Sequence, residues 1–346
     1  MSRFLQVHLL TFYPPANLNR DDTGRPKTAV IGGATRLRLS SQSLKRAWRT
    51  SDDFKAALDG HRGERTQRIG EVIRDHLIAG GTDAARAVEI ARKIVPVFGK
   101  PKAENDPHPT RTEQLAFISA EERAAALALA ERLAAGEKIE ATAATLLRQH
   151  DTAADIAMFG RMLADNPDYN REAAVQVAHA FTTHKVAVED DYYVAVDDLK
   201  TSAEDAGAGF LGEAGFAAGL FYLYLCVDAA LLKRNLSDEG LAGTSLAALV
   251  RAAATVAPTG KQASFASRAR AHFIMAEAGE QTPRTLGAAF LKPVAGHDPM
   301  ADSVASLHAL RDAMDGAYGA CADRRAEMLV GGGGALEDIL AFCRAV

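Results

Sequence analysis

The chain has 346 residues, of which 48% are hydrophobic and 24% are charged, and its formal net charge is −4. This composition is that of a soluble globular protein, and it argues against a uniformly basic nucleic-acid-binding protein. The longest apolar run, residues 215–227, is too short to span a bilayer. Three cysteines without close spacing favour a reducing, cytoplasmic location.

The charge is distributed unevenly along the chain. Residues 1–70 carry 13 basic and 6 acidic residues, a net charge of +7, whereas the other 276 residues carry 27 and 38, a net charge of −11. A basic N-terminal region on an acidic body is typical of a localised nucleic-acid footprint. It equally fits self-assembly, in which the basic surface of one copy meets the acidic surface of the next. Composition does not separate these two interpretations.

The first predicted element is a strand over residues 3–12, in which apolar and polar residues alternate. It lacks a cleavage-site pattern, so we interpret it as a strand and not as a signal peptide. Pro14 and Pro15 are predicted to end it, because proline cannot donate to a strand ladder. A polar loop over residues 16–30 follows. The charged residues of this loop are Arg20, Asp21, Asp22, Arg25 and Lys27.

The sequence GGATRLRLSSQSLKRAWR, residues 32–49, predicts a strand that leads into a helix. Leu37 and Leu39 alternate with arginines, as expected of a strand. Ser40 or Ser41 is suited to cap the helix that follows, since a serine oxygen accepts from an otherwise unpaired backbone N–H.

One side of this helix is polar and basic. The residues that recur along it are Ser41, Gln42, Lys45, Arg46 and Arg49. Residues 36–49 contain five basic residues and no acidic one. A helix N-terminus offers free N–H groups and a partial positive charge, so serine hydroxyls and these cations together predict a phosphate-binding site. The alternative is an ordinary amphipathic helix with a solvated basic face.

The rest of the chain is predicted to contain a helical insertion and further strands. Residues 52–183 are alanine-rich, and their predicted helices are 71–77, 84–94 and 119–135. The elements predicted after it are a strand at 219–228, a helix at 237–257, a strand at 272–278, a helix at 301–319, a flexible glycine spacer at 331–334 and a helix at 336–346. Outside the insertion the order is β-α-β-β-α-β, which is that of an α+β, ferredoxin-like or RRM-like fold.

This order does not imply that bases are read on the sheet. The aromatic signature of RRM strands is missing. Tyr222 and Tyr224 alternate on a predicted strand, and we interpret them as core or interface residues. The edge loops and the helix start are therefore the predicted binding surfaces.

Gly260, Lys261 and Gln262 resemble the end of a Walker A motif, but the motif is incomplete. It requires a glycine where this chain has Thr255 and a serine or threonine where it has Gln262. Nucleotide hydrolysis is therefore excluded. Lys261 and Gln262 are either phosphate contacts or part of a solvated loop.

No metal or cofactor is expected from the sequence. His179 and His184 are five residues apart, which is not the spacing of a helical zinc pair, and we interpret both as structural. The carboxylates between residues 189 and 198 lack the glycine-defined spacing of a calcium loop and more plausibly form a solvated acidic arm.

At several of these motifs the sequence resembles the backbone subunit of the type I-E CRISPR surveillance complex Cascade, the CasC family. The segments that carry the resemblance are NLNRDD (17–22), IGG (31–33), RLRLSSQSLKRAWR (36–49), DIAMFGRM (155–162), AHAFTTHKV (178–186), AVDDL (195–199), FLGEAGFAAGLFYLY (210–224) and GKQASFA (260–266). They span most of the chain in order.

The resemblance implies a shape like a right hand. Residues 1–51 and 217–346 would form an RRM-like palm, residues 52–185 helical fingers, and residues 186–216 an extended thumb arm. It implies a non-catalytic subunit that polymerises along a CRISPR guide RNA and presents the bases to target DNA. Its implied partners are the guide RNA, target DNA through the guide, further copies of itself, and the repeat endonuclease, small, large and 5′-end subunits of Cascade.

Together the residues and the resemblance predict an RNA-binding site without a catalytic residue. Its members are Arg20, Lys27, Arg38, Ser40, Gln42, Lys45, Arg46, Arg49, Met162, Tyr193, Lys261 and Gln262. The resemblance assigns Tyr193 and Met162 to a wedge that interrupts base stacking at a fixed interval. Tyr192 precedes Tyr193, so either ring could stack, and both tyrosines could instead pack within the arm while Met162 fills a gap in the core.

Two other functions stay open at this point. Asp21 or Asp22, beside Arg20 and Lys27, could assist phosphodiester cleavage, which would make the protein a guide-programmed ribonuclease. Alternatively, the chain is a general single-strand RNA-binding protein without a guide.

Overall fold

The computed structural model describes residues 3–148, 150, 152–163, 165–195, 210–236 and 238–346. Its strands are β1 (Phe4–Ala16), β2 (Thr28–Ile31), β3 (Ala34–Leu39), β4 (Glu64–Thr66), β5 (Ala116–Ile118), β6 (Val175–Val177), β7 (Ala180–Thr182), β8 (Glu189–Ala195), β9 (Phe210–Asp228), β10 (Phe273–Gly279) and β11 (Arg324–Leu329).

The α-helices are α1 (Ser41–Thr50), α2 (Asp52–Ala57), α3 (Ile69–Ala79), α4 (Ala84–Ile94), α5 (Ala120–Ala134), α6 (Ala143–Leu146), α7 (Ala154–Phe159), α8 (Ala229–Leu236), α9 (Glu239–Thr255), α10 (Gln262–Phe265), α11 (Pro299–Tyr318) and α12 (Leu336–Arg344). Short 3₁₀ helices lie at Val95–Val97, Pro167–Tyr169 and Gly287–Phe290. This mixture of helices and antiparallel strands confirms the predicted α+β class. None of the described helices combines the length and apolar character that crossing a membrane requires.

The chain divides into two compact units. Unit 1 comprises Met1–Phe54, Val177–Cys226 and Leu246–Val346, and unit 2 comprises Lys55–Gln176 and Val227–Ser245. Residues 227–245 were assigned in the sequence analysis to the palm segment 217–346, whereas in the structure they belong to unit 2. The reason is local packing, since Asn235 of α8 donates to the carbonyl oxygens of Ala157 and Glu172. The division into palm, fingers and thumb stays a prediction.

Unit 1 is built on one sheet with the strand order β11-β10-β1-β9-β7-β3-β2. The pairs β1–β10, β10–β11, β7–β9, β3–β7 and β2–β3 are antiparallel. The first half of β9 pairs separately with β8, from Glu189 opposite Phe216 to Ala195 opposite Phe210. The predicted arm is thus a β-hairpin as far as the chain is described; residues 196–209 lie outside the described part.

Between Leu5 and Thr11 both faces of strand β1 are buried, although one of them carries polar residues. Gln6 and His8, which alternate with leucine and valine, are at most 3% exposed. His8 Nδ1 lies 2.9 Å from the hydroxyl oxygen of Tyr222, which is also buried and accepts from the Leu286 N–H. Tyr224 donates its hydroxyl to Gln6 Oε1 at 2.8 Å. Tyr222 is a core residue and Tyr224 is half-buried against the same core cluster, which agrees with the predicted packing role.

Two predictions in the N-terminal region were incomplete or wrong. β1 does not end at Pro14 but continues through both prolines to Ala16, since extended backbone accommodates proline where no ladder donor is needed. Part of the predicted loop 16–30 is strand β2, which pairs with β3 through Gly32 and Gly33. Both glycines have positive φ, 58° and 76°, so a two-glycine hairpin turn was the overlooked signal.

The prediction for the C-terminal part of the chain was also incomplete. β11 pairs with β10, and α12 packs near it. The glycines at 331–334 are not a spacer but a turn, in which Leu329 and Gly333 form a bridge. Helix α8, between two predicted elements, was not foreseen. Its end and the start of α9 flank Ser237, which lies outside the described residues.

Unit 2 has a helical core, as the insertion was predicted to have. Ile73 of α3, Ile90 of α4 and Ala130 of α5 are fully buried in one cluster. Helix α5 begins after Ser119, whose side chain accepts from the Glu122 N–H while the Glu122 carboxylate accepts from the Ser119 N–H. This capping box fixes the start of the helix that was predicted from residue 119.

Candidate nucleic-acid interface

The start of α1 is fixed by the predicted serine cap. Ser40 has extended backbone, and its Oγ accepts from the Ser43 N–H at 3.3 Å. Leu44 and Trp48 are buried, whereas Arg46 is exposed. The first turn carries no acidic residue that would offset the partial positive charge of the helix N-terminus.

The NLNRDD loop, residues 17–27, binds to this helix start. Asn19 Oδ1 accepts from the Ser40 N–H at 2.8 Å, and the Asn19 carbonyl accepts from the Lys27 N–H at 2.8 Å. The Lys27 carbonyl in turn accepts from the Arg38 N–H at 2.8 Å. Asn19 therefore links two motifs that the sequence presents separately, and its role was missed.

Asp21 shapes the turn of this loop. Its Oδ1 accepts from the Thr23 N–H at 2.9 Å, the Thr23 hydroxyl at 2.8 Å and the Arg25 N–H at 3.0 Å. The bond from the Thr23 hydroxyl is the main reason that the pKa of the Asp21 carboxyl lies below its usual value. One oxygen of the candidate cleavage residue is thus engaged in holding the loop. Asp22 is exposed.

Three of the predicted cations surround His179. Arg38 Nη1 lies 2.6 Å from His179 Nδ1. The His179 ring is exposed, and its partial desolvation by neighbouring groups lowers its pKa most, while the positive charges of Arg38, Lys27 and Lys45 lower it further. The imidazole is therefore neutral at pH 7 and accepts from Arg38. No local signal could have revealed this contact, because the two residues are 141 positions apart.

A third loop, residues 258–266, packs against the NLNRDD loop. A Cβ atom at Gly260 would overlap the Leu18 carbonyl oxygen, so only glycine fits there. Lys261 is exposed and has left-handed backbone with φ 54°. Gln262 opens α10 and donates its amide to the Pro258 carbonyl at 3.2 Å.

The three motifs line one surface depression of about 400 Å³. Its lining residues are Leu18, Asn19, Arg20, Asp21, Ser43, Arg46, Ala47, Thr50, Thr259 and Gly260. We call the surface formed by this depression and the neighbouring cations Lys27, Arg38, Lys45 and Lys261 the basic surface of unit 1. Arg49 is half-buried on the same helix, and Gln42 is exposed.

Tyr193 lies on the arm hairpin of unit 1. It is directly opposite Gly212, and a Cβ atom at Gly212 would overlap its ring, so the ring lies across the glycine. The Tyr193 side chain is 44% exposed and that of Tyr192 is 65% exposed. The AVDDL motif that follows cannot be placed, because residues 196–199 lie outside the described part of the chain.

Met162 belongs to unit 2 and is 84% exposed, so the alternative that it fills a gap in the core is wrong. Gly160 before it has φ 78°. Arg161 is buried, with Nη1 2.7 Å from Oε2 of Glu122, which is also buried. A helix end that requires glycine and a buried ion pair thus hold Met162 at the surface.

An exposed apolar residue beside Met162 was not predicted. Leu115 is 64% exposed, and both side chains line a depression of about 560 Å³ in unit 2. Arg65, which also lines it, has its guanidinium 5.1 Å from the centroid of the Phe117 ring. Leu115 lies in a segment without a hydrophobic periodicity or a motif, so nothing in the sequence indicated its exposure.

The two histidines have hydrogen-bonding roles, as expected of structural residues. His184 Nε2 accepts from the Leu220 N–H at 3.1 Å, and His179 accepts from Arg38. Within the described ranges, no three or more His, Cys, Asp or Glu side chains lie close enough together to hold a metal ion.

Comparisons with known proteins give one consistent result. The model of a family described as CT1975-like protein matches residues 5–335. No curated protein matches the chain. A solved chain from a "CRISPR RNA-guided surveillance complex, pre-nicking" is 29% identical with a TM-score of 0.86, and the match covers 98% of this chain and 100% of that one. A second solved chain, from a "CRISPR RNA-guided surveillance complex", is 26% identical with a TM-score of 0.76, and the match covers 99% of this chain and 100% of that one. These matches confirm the predicted resemblance to a subunit of such complexes, and the chain belongs to the CT1975-like protein family.

Proposed function

We propose that this protein is the guide-RNA-binding backbone subunit of a type I-E Cascade complex and acts in the cytoplasm without catalysing a reaction itself. The observation that carries the proposal is the convergence of three distant motifs, residues 17–22, 40–49 and 260–262, on the basic surface of unit 1. The two similar solved chains come from complexes whose names describe them as RNA-guided, which supports the same role here.

The chemistry of this surface suits a backbone subunit. It offers cations, hydroxyl groups and a helix N-terminus, all of which bind phosphate oxygens. Phosphate contacts position a nucleic acid without reading its sequence. Each copy of the protein has to accept whatever spacer it meets, so readout belongs to the pairing of the guide with target DNA.

The fold supports the proposed arrangement of palm, fingers and thumb. The strands β10-β1-β9-β7 lie in the order expected when two β-α-β units interleave, and the aromatic face of this sheet is closed by Leu286 and Phe290. This strand order and the closed face of the sheet support an RRM-like palm that binds RNA through its edge loops. Unit 2 supplies the helical fingers, and the β8–β9 hairpin supplies the thumb that reaches a neighbouring copy in a filament.

Tyr193 and Met162 are proposed to form the wedge that interrupts guide stacking. Both are substantially exposed. The Tyr193 ring lies across Gly212, and Met162 directly follows the buried Arg161, which is paired with Glu122. Apolar side chains that replace lost stacking contribute about 1–3 kcal/mol per base.

Sequencing the RNA that copurifies with the protein tests the proposal directly. CRISPR repeat–spacer transcripts are the expected result, and they should be lost when the basic surface is neutralised by Lys45→Ala with Arg46→Ala. Recovery of unrelated cellular RNA in proportion to its abundance would favour the general single-strand RNA-binding protein instead.

The ribonuclease alternative has its own test. Asp21 holds the loop through Thr23 and Arg25, which is a structural role that explains the residue without catalysis. We therefore expect the wild type, Asp21→Ala and Asp22→Ala to leave RNA paired to the guide uncut, with or without divalent metal. Metal-dependent cleavage by the wild type that either substitution abolishes would establish the enzyme instead.

A further inference from the structure

The base of the arm hairpin is held by the same loop that carries the predicted phosphate contacts Arg20 and Lys27. Asp190 of β8 and Gly215 of β9 lie opposite each other. Asn17 donates to the Gly215 carbonyl at 2.9 Å, and Arg25 Nη1 lies 2.7 Å from Asp190 Oδ1. Both residues of one rung of the hairpin are therefore bound by residues 17–25.

Asn17 links the loop of residues 17–25 to the arm hairpin, so a shift of the loop also moves the hairpin. It is 1% exposed. Its amide nitrogen also donates to the Gly24 carbonyl at 2.9 Å, inside the turn of the loop. An amide NH₂ group has two hydrogens, so one nitrogen satisfies an acceptor in the loop and another in the arm.

The adjacent rung is contacted by the third motif. Glu189 lies opposite Phe216, whose ring centroid is 6.0 Å from that of Phe265. Phe265 is the last residue of α10, which begins at Gln262 and is preceded by Lys261. Two loops of the basic surface thus contact two successive rungs of the arm.

We propose that Asn17 and the Arg25–Asp190 pair are positioning residues that couple phosphate binding at the basic surface to the direction of the arm. The proposal rests on the function proposed above. Tyr193 follows Asp190 by three residues, about 10 Å along the strand. A phosphate that orders the loop therefore also sets where the tyrosine meets the bound RNA.

The experiment uses the complex assembled on a repeat–spacer transcript, with chemical probing of the guide bases. Asp190→Arg places two arginines against each other and should abolish the periodic base reactivity seen with the wild type. Because the change adds a positive charge, weaker phosphate binding does not account for such a loss. Adding Arg25→Asp reverses the pair and should restore the pattern, with guide Kd within about fivefold of wild type.

Asp191→Arg is the matched control, because it makes the same charge change one residue along, on the other face of the strand. It should leave the pattern intact. Asn17→Ala provides a second test without a charge change. It should also abolish the periodic reactivity of the guide bases.

Two results separate this inference from the proposed function. If the wild type shows the pattern and both Asp190→Arg and Asn17→Ala keep it, the coupling is wrong and the guide-binding function stands. If the wild type retains no guide, the proposed function fails, and the coupling fails with it. If the wild type retains the guide but gives no periodic pattern, the wedge and the coupling fail while the guide-binding function stands.

Discussion

Single residues decide whether the basic surface exists. Ser40 is both the cap of α1 and the donor to Asn19, and Gly260 is the one residue type that fits against Leu18. The serine cap was predictable because its signal is local. The contact of Arg38 with His179 was not, because it depends on how the sheet brings distant strands together.

Neutralising two cations of α1 should weaken guide binding equally for all spacers. We expect Lys45→Ala with Arg46→Ala to lower the slope of log affinity against log salt by about 0.7 for each lost phosphate contact on single-stranded RNA. Filter binding at several salt concentrations measures this slope. Arg86→Ala with Lys93→Ala, which removes two exposed cations of α4 paired with Glu89, is the control and should leave the slope unchanged.

The buried His8 should make stability depend on pH. Burial lowers its pKa despite the nearby Glu277 carboxylate, so the folded state keeps it neutral. The unfolded chain gains a proton below its ordinary pKa of about 6.5. Stability is therefore complete above that value and falls as the pH drops below it.

His8→Gln should reduce the loss of unfolding free energy between about pH 7.5 and 5.5, because glutamine does not titrate in this range. Urea unfolding at the two pH values measures it. The Glu277 carboxyl, whose pKa is also lowered in the folded state, loses its contribution only at more acidic pH and does not interfere. An unchanged pH dependence in the variant would show that His8 is not the group responsible.

At the scale of elements, turns and pairings explain what periodicity alone did not predict. The helices α3, α4, α9 and α11 and the strands β3 and β10 were predicted with small boundary errors, because their apolar patterns are regular. Strand β9 was predicted only from residue 219, although it begins at Phe210. The strands β2 and β11 and the helix α8 were missed. None of the residues of β2 and β11 is buried, so neither strand carries the apolar alternation of a half-buried strand, and α8 has only eight residues.

The hairpin between β2 and β3 offers a test with a built-in control. Gly32 and Gly33 both have positive φ, but only a Cβ at Gly32 would overlap the backbone of Leu291. We expect Gly33→Ala to cost about 1 kcal/mol of unfolding free energy for its left-handed backbone alone. Gly32→Ala should cost clearly more, because the side chain also collides with fixed backbone. Equal losses in urea unfolding would mean that Leu291 moves aside freely.

At the scale of the whole molecule, the two residues of the proposed wedge lie in different compact units. Met162 belongs to unit 2 and Tyr193 to unit 1. The resemblance named both from sequence, but the exposure of Met162 follows from the buried Arg161–Glu122 pair, and the exposed Leu115 beside it was not foreseen. Side-chain burial depends on packing across the fold, which a single sequence does not report.

Met162→Ala with Tyr193→Ala should leave the monomer folded but impair filament assembly on RNA and pairing with the target strand. Lost stacking replacement of about 1–3 kcal/mol per base is the physical reason. Negative-stain images and periodic base reactivity of the guide measure the two effects. Tyr192→Ala is the control that identifies the stacking ring. If the pattern survives the double substitution and disappears with Tyr192→Ala, the neighbouring tyrosine is the wedge.

The 19-residue strand β9 runs without interruption from the arm hairpin into the central sheet. Its residues 210–216 pair with β8, and its residues 221–222 pair with β7. Side chains alternate between the two faces of a strand, so removing one residue between these pairings would turn the whole arm over. Over evolutionary time, this segment is therefore expected to change in length by pairs of residues, or by single residues absorbed in a bulge. The same constraint applies to anyone who shortens or lengthens the arm by design.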